Sequence, residues 1–392
     1  MSRRGPDRKL ERPSVVLGGT AHWSIGRLAE HHLASGLADH VDVLFVDPPV
    51  SPVTVARRRE LLPLIRRGRL REVAPGVWVL IPVVLPGKDR RGILRPTDHL
   101  VRNQISGAVR RLRLQPTATI LTLPQRLLFD KRSPSRRIYW AKDDHVAGAG
   151  LYGLDPDQLA AAESRVAHAA DDLVVCSPSL ANAWRRTGLS PVVMPNGCDT
   201  ALFARAEELP LPSDLPVKPG YALYAGTLAS RIDAELLLAV ADSGVEVVLL
   251  GAPRRTSSWN ELAELSAHPR VHQVGARPYE LLPAYLANAG VGLVPYRDDD
   301  YNRHSFPLKI LEYLAAGLPV VATDLPAARW LGTKHVRCAP TLSDFVRQVQ
   351  QVRVHPHLDV DVAARRAVAA EHDWSRRVEQ VLELVGLHDP RD

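Results

Sequence analysis

The stretch Phe306-Pro307-Leu308-Lys309-Ile310-Leu311-Glu312-Tyr313-Leu314-Ala315-Ala316-Gly317-Leu318-Pro319-Val320-Val321-Ala322-Thr323 reads as a helix followed by a buried strand. Ser305 stands where a cap belongs, Pro307 suits a first helical turn, and Gly317 can end the helix. On a helix over 307–316, Ile310, Leu311 and Leu314 turn inward, while Lys309 and Glu312 stand one turn apart on one face. A lysine near the positive end of a helix needs a reason. A bound diphosphate supplies one, because the free amides and the ammonium would both meet its oxygens. A carboxylate one turn later can accept hydrogen bonds from both hydroxyls of a ribose. The same spacing also suits a plain i,i+3 ion pair, and the stretch alone leaves both readings open.

Upstream, strand and helix alternate. Strands are expected at 221–225, 245–250, 271–274, 291–294 and 319–323, with helices at 232–243, 259–266, 279–288 and 307–316. The first half repeats the scheme, with strands at 13–17, 41–46, 78–84, 118–123, 137–140 and 172–176 and helices at 24–37 and 157–169. Such alternation gives parallel sheets covered by helices. The expected fold class is therefore α/β, with two Rossmann-like, doubly wound domains facing across a cleft. Residues 192–199 and the prolines that follow, Pro210, Pro212, Pro216 and Pro219, read as the hinge and its exit. Domain limits of 1–198 and 199–373 follow, with a last helix in 374–392. Ligands in open α/β sheets bind outside the carboxyl ends of the strands, so the cleft is the expected site.

The chain of 392 residues is 45% hydrophobic and 24% charged, which excludes a disordered polar chain and a coiled coil. Cys176, Cys198 and Cys338 are odd in number and far apart, without a CxxC pair, which points to a reducing cytoplasm. The Arg-rich first residues lack an apolar stretch, so no signal peptide is expected. No run approaches the roughly 20 apolar residues of a membrane span, and any membrane contact should be peripheral. Residues 51–150 hold 21 Lys+Arg against 7 Asp+Glu, clustered at Arg57-Arg58-Arg59, Arg66-Arg67-Gly68-Arg69 and Arg110-Arg111-Leu112-Arg113. A solvated Arg-rich surface explains this, and so does an anionic partner: a membrane face touching residues 51–113, or an anionic or polar acceptor. Nucleic acid is set aside because no aromatic interleaving or recognition motif accompanies the charge.

The helix–strand stretch resembles the nucleotide-binding segment of GT-B glycosyltransferases, of the family 4-like bacterial group that builds surface polysaccharides such as teichuronic acid. Three further pieces agree in order. Tyr224-Ala225-Gly226-Thr227-Leu228 with Arg231 is similar to that fold's glycine loop and phosphate-binding arginine. Pro195-Asn196-Gly197-Cys198-Asp199 is similar to its linker, and Tyr139 to Asp144 with Glu163 and Ala170-Asp171 to the acceptor-domain segment. The resemblance runs from Pro13 to about Trp374, and residues 374–387 would be the helix that crosses back to the first domain. It implies a cytoplasmic or peripherally membrane-attached enzyme moving a sugar from a nucleotide-sugar donor, with UDP the expected nucleotide, to a polysaccharide, lipid-linked or small natural-product acceptor. Arg231 and Lys309 would hold the diphosphate and Glu312 the ribose. Gly226, Thr227, Ser305 and Phe306 would line the donor site, and Pro278 and Tyr279 would face the base, Tyr279 being equally suited to helix-start packing. Gly18 and Gly19 would form the acceptor-side loop. No cofactor or metal is implied. Asp298-Asp299-Asp300 has a DxD spacing, but in this fold it reads as a mobile acidic loop. A nucleotide-sugar 2-epimerase and a non-catalytic partner that keeps the donor cleft are the alternatives.

One position departs from the pattern. The retaining branch carries a glutamate eight residues before the ribose-binding one, and here that residue is His304. Stereochemistry is thus open, and inverting transfer would need a base across the cleft. Asp144, following a strand end in Trp140-Ala141-Lys142-Asp143-Asp144-His145, is the first candidate. His22, in the loop after the first strand, is the second, and Asp143 could serve in place of Asp144.

Overall fold

Short apolar runs bounded by glycine, proline or polar residues build two sheets. The computed structural model describes residues 12–24, 27–87, 92–124, 126–130, 133–254, 261–353 and 361–387, apart from the side chains of Glu60, Leu64 and Glu207. The first sheet contains β1 (Ser14–Gly18), β2 (Asp42–Val46), β3 (Leu70–Ala74), β4 (Val77–Leu80), β5 (Pro116–Leu121), β6 (Arg136–Ala141), β7 (Asp172–Val175) and β8 (Val192–Val193), in the order β3-β4-β2-β1-β5-β6-β7-β8. All neighbours are parallel except the β3–β4 hairpin, whose type the sequence reading missed. The second sheet contains β9 (Tyr221–Ala225), β10 (Val247–Leu250), β11 (Val271–Gln273), β12 (Ala289–Val294), β13 (Val320–Thr323) and β14 (Val336–Ala339), in the order β11-β10-β9-β12-β13-β14, all parallel. Strands β9, β10 and β12 are buried along their whole length, as central strands of a doubly covered sheet should be. The chain order reverses at β1, which lies between β2 and β5, and at β9, which lies between β10 and β12. Ligand crevices belong at the carboxyl ends of those two strands.

Several boundaries shift for local reasons. The first helix runs Ala29–Leu37, not from Ser24, because Leu28 is extended at φ −112° and ψ 172°; Ile25 and Gly26 lie outside the described residues. The helix expected from Trp259 runs Glu261–Ala267, Trp259 itself lying outside the described residues. The helix expected from Tyr279 opens as a single 3₁₀ turn, Tyr279–Leu281, and becomes α-helical at Leu282–Ala287, where Pro283 fills the first turn. The helix of the deciding stretch spans Leu308–Ala315 with Pro307 in the cap position. Ser305 does not cap it, which corrects the sequence reading. Its hydroxyl turns back to donate to Tyr301 O at 2.8 Å, closing the preceding helix Asp300–His304. The three aspartates are not a free loop either. Asp299 caps that short helix by accepting from Asn302 N at 2.8 Å, and Asp298 pairs with Arg303.

The chain passes between the sheets twice, and the passages are tied together. Cys198 N donates to His372 O at 2.9 Å and Trp374 N to Cys198 O at 3.1 Å. A Cβ on Gly197 would lie 2.7 Å from the Trp374 ring, so the linker passes where only glycine fits. From there the helix Trp374–Leu384 leaves the second sheet and packs on Ala29–Leu37 of the first, burying Val378, Val381 and Leu382 in that core. The His32 and Trp374 rings stack with centroids 5.4 Å apart.

Candidate active site

At the end of β9 the backbone turns at Gly226, with φ +141°, a conformation that favours glycine. A Cβ there would also come within 3.1 Å of Lys309 Nζ, while one on Gly251 would sit 1.9 Å from Gly226 O. The two glycines let the loops after β9 and β10 meet backbone to backbone beside the helix Leu308–Ala315. That helix is locked by Tyr313, whose hydroxyl accepts from Ala225 N at 2.8 Å and whose ring packs where a side chain on Gly292 would stand. Ile310, Leu311 and Leu314 are buried, which leaves Lys309 and Glu312 on the cavity side.

A cavity of about 290 Å³ opens there, lined by Gly226, Thr227, Arg231, Ser305, Phe306, Lys309 and Glu312 from the second sheet and by Asp143, Tyr152 and Asn196 from the first. Three cations line it, Arg231, Lys309 and Arg254, and the first two rest on tyrosines of the second sheet. Lys309 Nζ donates to the hydroxyls of Tyr224, at 3.3 Å, and Tyr296, and lies 4.5 and 4.7 Å from their ring centroids. The Arg231 guanidinium sits 3.9 Å over Tyr296 and 4.8 Å over Tyr301, and its Nε donates to Asn302 Oδ1 at 3.0 Å. Its Nη2 is buried without a partner. Burial holds Lys309 below its usual range despite Tyr296, and the Tyr296 hydroxyl, which burial would raise, is pulled down by Arg231 and Lys309. Two converging cations, one of them with an unsatisfied donor and neither in an ion pair with a carboxylate among the described residues, make a receptor for an anion. Glu312 is pushed up to about 7 by burial, partly offset by Lys309 and by the Tyr279 hydroxyl.

Tyr279 reaches Glu312 only through that hydroxyl. Its ring packs edge-on to Phe203 at 5.6 Å and beside His32 at 5.3 Å. Neither Pro278 nor Tyr279 lines the cavity, so the structure does not gather them with the other expected donor residues. Phe306 is buried against Trp330, and its carbonyl accepts from Asn196 Nδ2 at 3.3 Å across the hinge.

On the first sheet, Asp143 and Asp144 part company. Asp143 faces the cavity, 3.4 Å from Ser305 Oγ; burial raises its pKa while Arg231 and Lys142 oppose the rise. Asp144 does not open into the cavity as the sequence reading expected. It accepts from Ala147 N at 2.9 Å and pairs with His304 Nδ1 at 2.6 Å, and these bonds overcome burial to hold its pKa low. His304, at the position of the missing glutamate, thus serves as an interdomain contact, reinforced by Ser177 Oγ donating to its carbonyl at 2.5 Å. His22 is buried 3.0 Å from Asp47 Oδ2 and lines neither cleft cavity. Gly19 answers to packing, since a Cβ would fall 2.3 Å from the Phe45 ring, and a Cβ on Gly18 would come within 3.1 Å of Leu121. Glu163 receives the Tyr139 hydroxyl and is raised by burial to about 8, so it is a neutral core acid. Asp171 pairs with Arg137 at the far edge of β6.

A second cavity, of about 370 Å³, adjoins the first and shares Asp143, Tyr152 and Arg254 with it. Its other walls include Thr20, Leu28, Leu123, Lys142, His145, Leu154 and Leu159, at the carboxyl ends of β1, β5 and β6. Lys142 is neutralised by Glu30, whose carboxyl burial would raise but Lys142 holds at about 2, with Thr20 completing the cluster. His145 is driven by burial and Lys142 down to about 4, hence neutral. A further hollow, about 560 Å³ beside His99, Arg102, Arg110 and Arg137, lies between the helix Leu94–Leu112 and the start of β6. Its arginines Arg102 and Arg137 are spent on Leu127 O and Asp171, and it shows no convergent chemistry.

Residues 224–353, the stretch that builds the 290 Å³ cavity's charged wall, match the family described as Glycosyl transferases group 1. They form a group 1 glycosyltransferase domain. The curated relative found is a putative teichuronic acid biosynthesis glycosyltransferase, TuaH, of Bacillus subtilis, 27% identical over 197 residues. That match covers 49% of this chain and 50% of the relative, so the two are alike over about half their lengths. The glycosyltransferase domain and its partner sheet together superpose on whole solved structures. Anabaena HepE in complex with UDP matches with TM-score 0.62 at 16% identity, covering 95% of this chain and 99% of that one. An E. coli structure described as trehalose-6-phosphate bound with UDP-2-fluoro glucose matches with TM-score 0.65 at 14% identity, covering 96% and 100%. AviGT4, a glycosyltransferase involved in avilamycin A biosynthesis, matches with TM-score 0.56 at 13% identity, covering 95% and 97%. The fold is GT-B.

Sequence reading gave no role to Tyr152, Tyr296, Tyr301 or Arg254, and gave Tyr224 only a place in the glycine loop. Tyr224 and Tyr296 lie in or just after central strands, and Arg254 follows β10, so the carboxyl-end rule could have pointed to them.

Proposed function

We propose that this protein is a glycosyltransferase that moves a sugar from a nucleotide diphosphate, UDP in the first instance, to an acceptor hydroxyl. The observation that carries the reading is Arg231 Nη2, buried and unpartnered in the cavity that Lys309 also lines, Lys309 itself standing one helical turn from Glu312. Arg231, Lys309 and the free amides at the start of Leu308–Ala315 would hold the diphosphate and stabilise it as it leaves. Glu312 would accept from the ribose diol, and the sugar would then lie toward Asp143.

Asp143 is the proposed base for inverting transfer, in place of Asp144. It would take the proton of the attacking hydroxyl as that oxygen bonds to the anomeric carbon and the bond to the β-phosphate breaks. Its raised pKa favours proton acceptance near neutral pH. The acceptor is a polysaccharide, lipid-linked or small natural-product molecule. Peripheral membrane contact is supported by the helices Pro52–Arg57 and Leu62–Arg66, where Val53 and Leu62 are 44% and 38% exposed among the arginines. Among the described residues no helix is long and apolar enough to cross a membrane.

A thermal-shift panel of UDP, GDP, dTDP and their sugars tests the donor reading. Stabilisation by one nucleoside diphosphate family, absent with the nucleosides, supports it; no shift with any of them refutes it. Hydrolysis products of the stabilising donor separate a transferase, which releases the unaltered sugar, from a 2-epimerase or a silent partner.

A further inference from the structure

Four buried polar atoms in the cleft walls have no partner: Arg231 Nη2, Asn196 Oδ1, Arg254 Nε and His145 Nε2. A donor diphosphate accounts for Arg231. It leaves Arg254, which borders both cavities where they meet. Its backbone is fixed, because its amide donates to Leu228 O at 2.8 Å and Leu228 N to Ala252 O at 3.0 Å, tying it to the loop that carries Arg231. Its guanidinium lies 4.9 Å over the Tyr152 ring, its Nε is buried without a partner, and among the described residues no ion pair to a carboxylate involves it. A guanidinium stays charged at any physiological pH, so a partly buried one without a counter-ion is a cost that a ligand anion removes. Nothing else in the second cavity offers a free positive charge among the described residues. Lys142 is neutralised by Glu30, and His145 is uncharged. The opposite walls are apolar, formed by Leu28, Leu123, Leu154 and Leu159.

We propose that the second cavity takes an acceptor bearing a carboxylate or a phosphate, with Arg254, supplied by the nucleotide-binding domain, as the residue that selects this anionic group. The inference rests on the reading above that the donor fills the first cavity. Because Arg254 comes from one domain and Leu123, Leu154 and Leu159 from the other, the acceptor is gripped only while the domains face each other. Asp143 then stands between the two ligands, where the acceptor hydroxyl must lose its proton.

The test is titration calorimetry on the full chain saturated with UDP, so that the diphosphate site is already filled. Glucuronate, mannose 6-phosphate and mannose are titrated in turn into wild type, Arg254→Gln and Arg254→Lys. Wild type should bind one or both anionic sugars at least tenfold more tightly than mannose, the lower end of what one charge-assisted pair gives. The better of the two tells carboxylate from phosphate. Arg254→Gln should erase the preference and Arg254→Lys should restore part of it, with UDP affinity unchanged in both. Equal binding of neutral and anionic sugars, no binding of either anion, or a preference that survives Arg254→Gln overturns the proposal. So does a loss of UDP affinity in Arg254→Gln as large as in Lys309→Ala, which would make Arg254 a donor ligand. Failure of wild type to bind UDP at all would instead sink the donor reading.

Discussion

Replacing Glu312 with Gln should make the protein more stable and less able to bind nucleotide, with both effects depending on pH. Burial raises this carboxyl from 4.5 to about 7 in the folded chain. A raised folded-state value means that the native protein holds a proton that the unfolded chain has released between those two pH values, so stability falls as pH rises through that window. The full difference is about 3 kcal/mol at 1.36 kcal/mol per unit. Glu312 is partly open to the cavity, so solvent trims the cost to about 1–3 kcal/mol. Glu312→Gln keeps the shape and carries no charge. At pH 8 its melting temperature should exceed wild type by several degrees, at roughly 2–4 °C per kcal/mol for a domain of this size, and at pH 5 the two should nearly coincide. Binding runs the other way. A ribose diol donates to the ionised carboxylate, so wild-type UDP affinity should fall as pH drops below about 7, approaching tenfold per unit. The variant should bind weakly at every pH, without that dependence. Scanning calorimetry and UDP titrations at pH 5, 6, 7 and 8 supply both readouts. A variant no more stable at pH 8 than wild type, or wild-type affinity flat from pH 5 to 8, would refute the reasoning.

Three further outcomes are expected. Arg231→Ala and Lys309→Ala should each weaken UDP by roughly tenfold to a hundredfold and uridine hardly at all, because each removes a charge-assisted phosphate contact; equal losses for both ligands would place these residues elsewhere. Tyr296→Phe keeps the ring under Arg231 but deletes the hydroxyl on Lys309, so its UDP affinity should lie between wild type and Tyr296→Leu, which loses both; calorimetry of the three ranks them. Asp143→Asn should keep UDP binding while donor-dependent transfer falls by roughly a hundredfold to ten-thousandfold, whereas Asp144→Asn, which only weakens the His304 contact, should lose far less; the reverse order returns the role to Asp144.

What the sequence revealed and what it hid follow from the range of the interactions. Tyr221–Ala225 was legible because an apolar run stops at Gly226, and Lys309 and Glu312 because helical spacing fixes which face they share. The sequence reading put Asp144 before Asp143, but both lie past the end of β6, where only the packed partner decides which one opens to the cleft. His304, contributed 160 residues away, made that choice. Ser305 misled for a similar reason: its hydroxyl satisfies the helix before it rather than the one after. Arg254 carries no local signal, for its meaning arises only where the loop after β10 meets Tyr152 and Asp143 of the other sheet.

The central claim is that the cavity around Arg231, Lys309 and Glu312 cleaves a nucleotide-sugar bond. The most direct measurement is chromatographic detection of free nucleoside diphosphate and sugar after prolonged incubation of the purified chain with individual nucleotide sugars, beside Lys309→Ala as control. Slow release from at least one donor by wild type, strongly reduced in the variant, is the expected result. Intact donors throughout, or release that persists undiminished in Lys309→Ala, would contradict it.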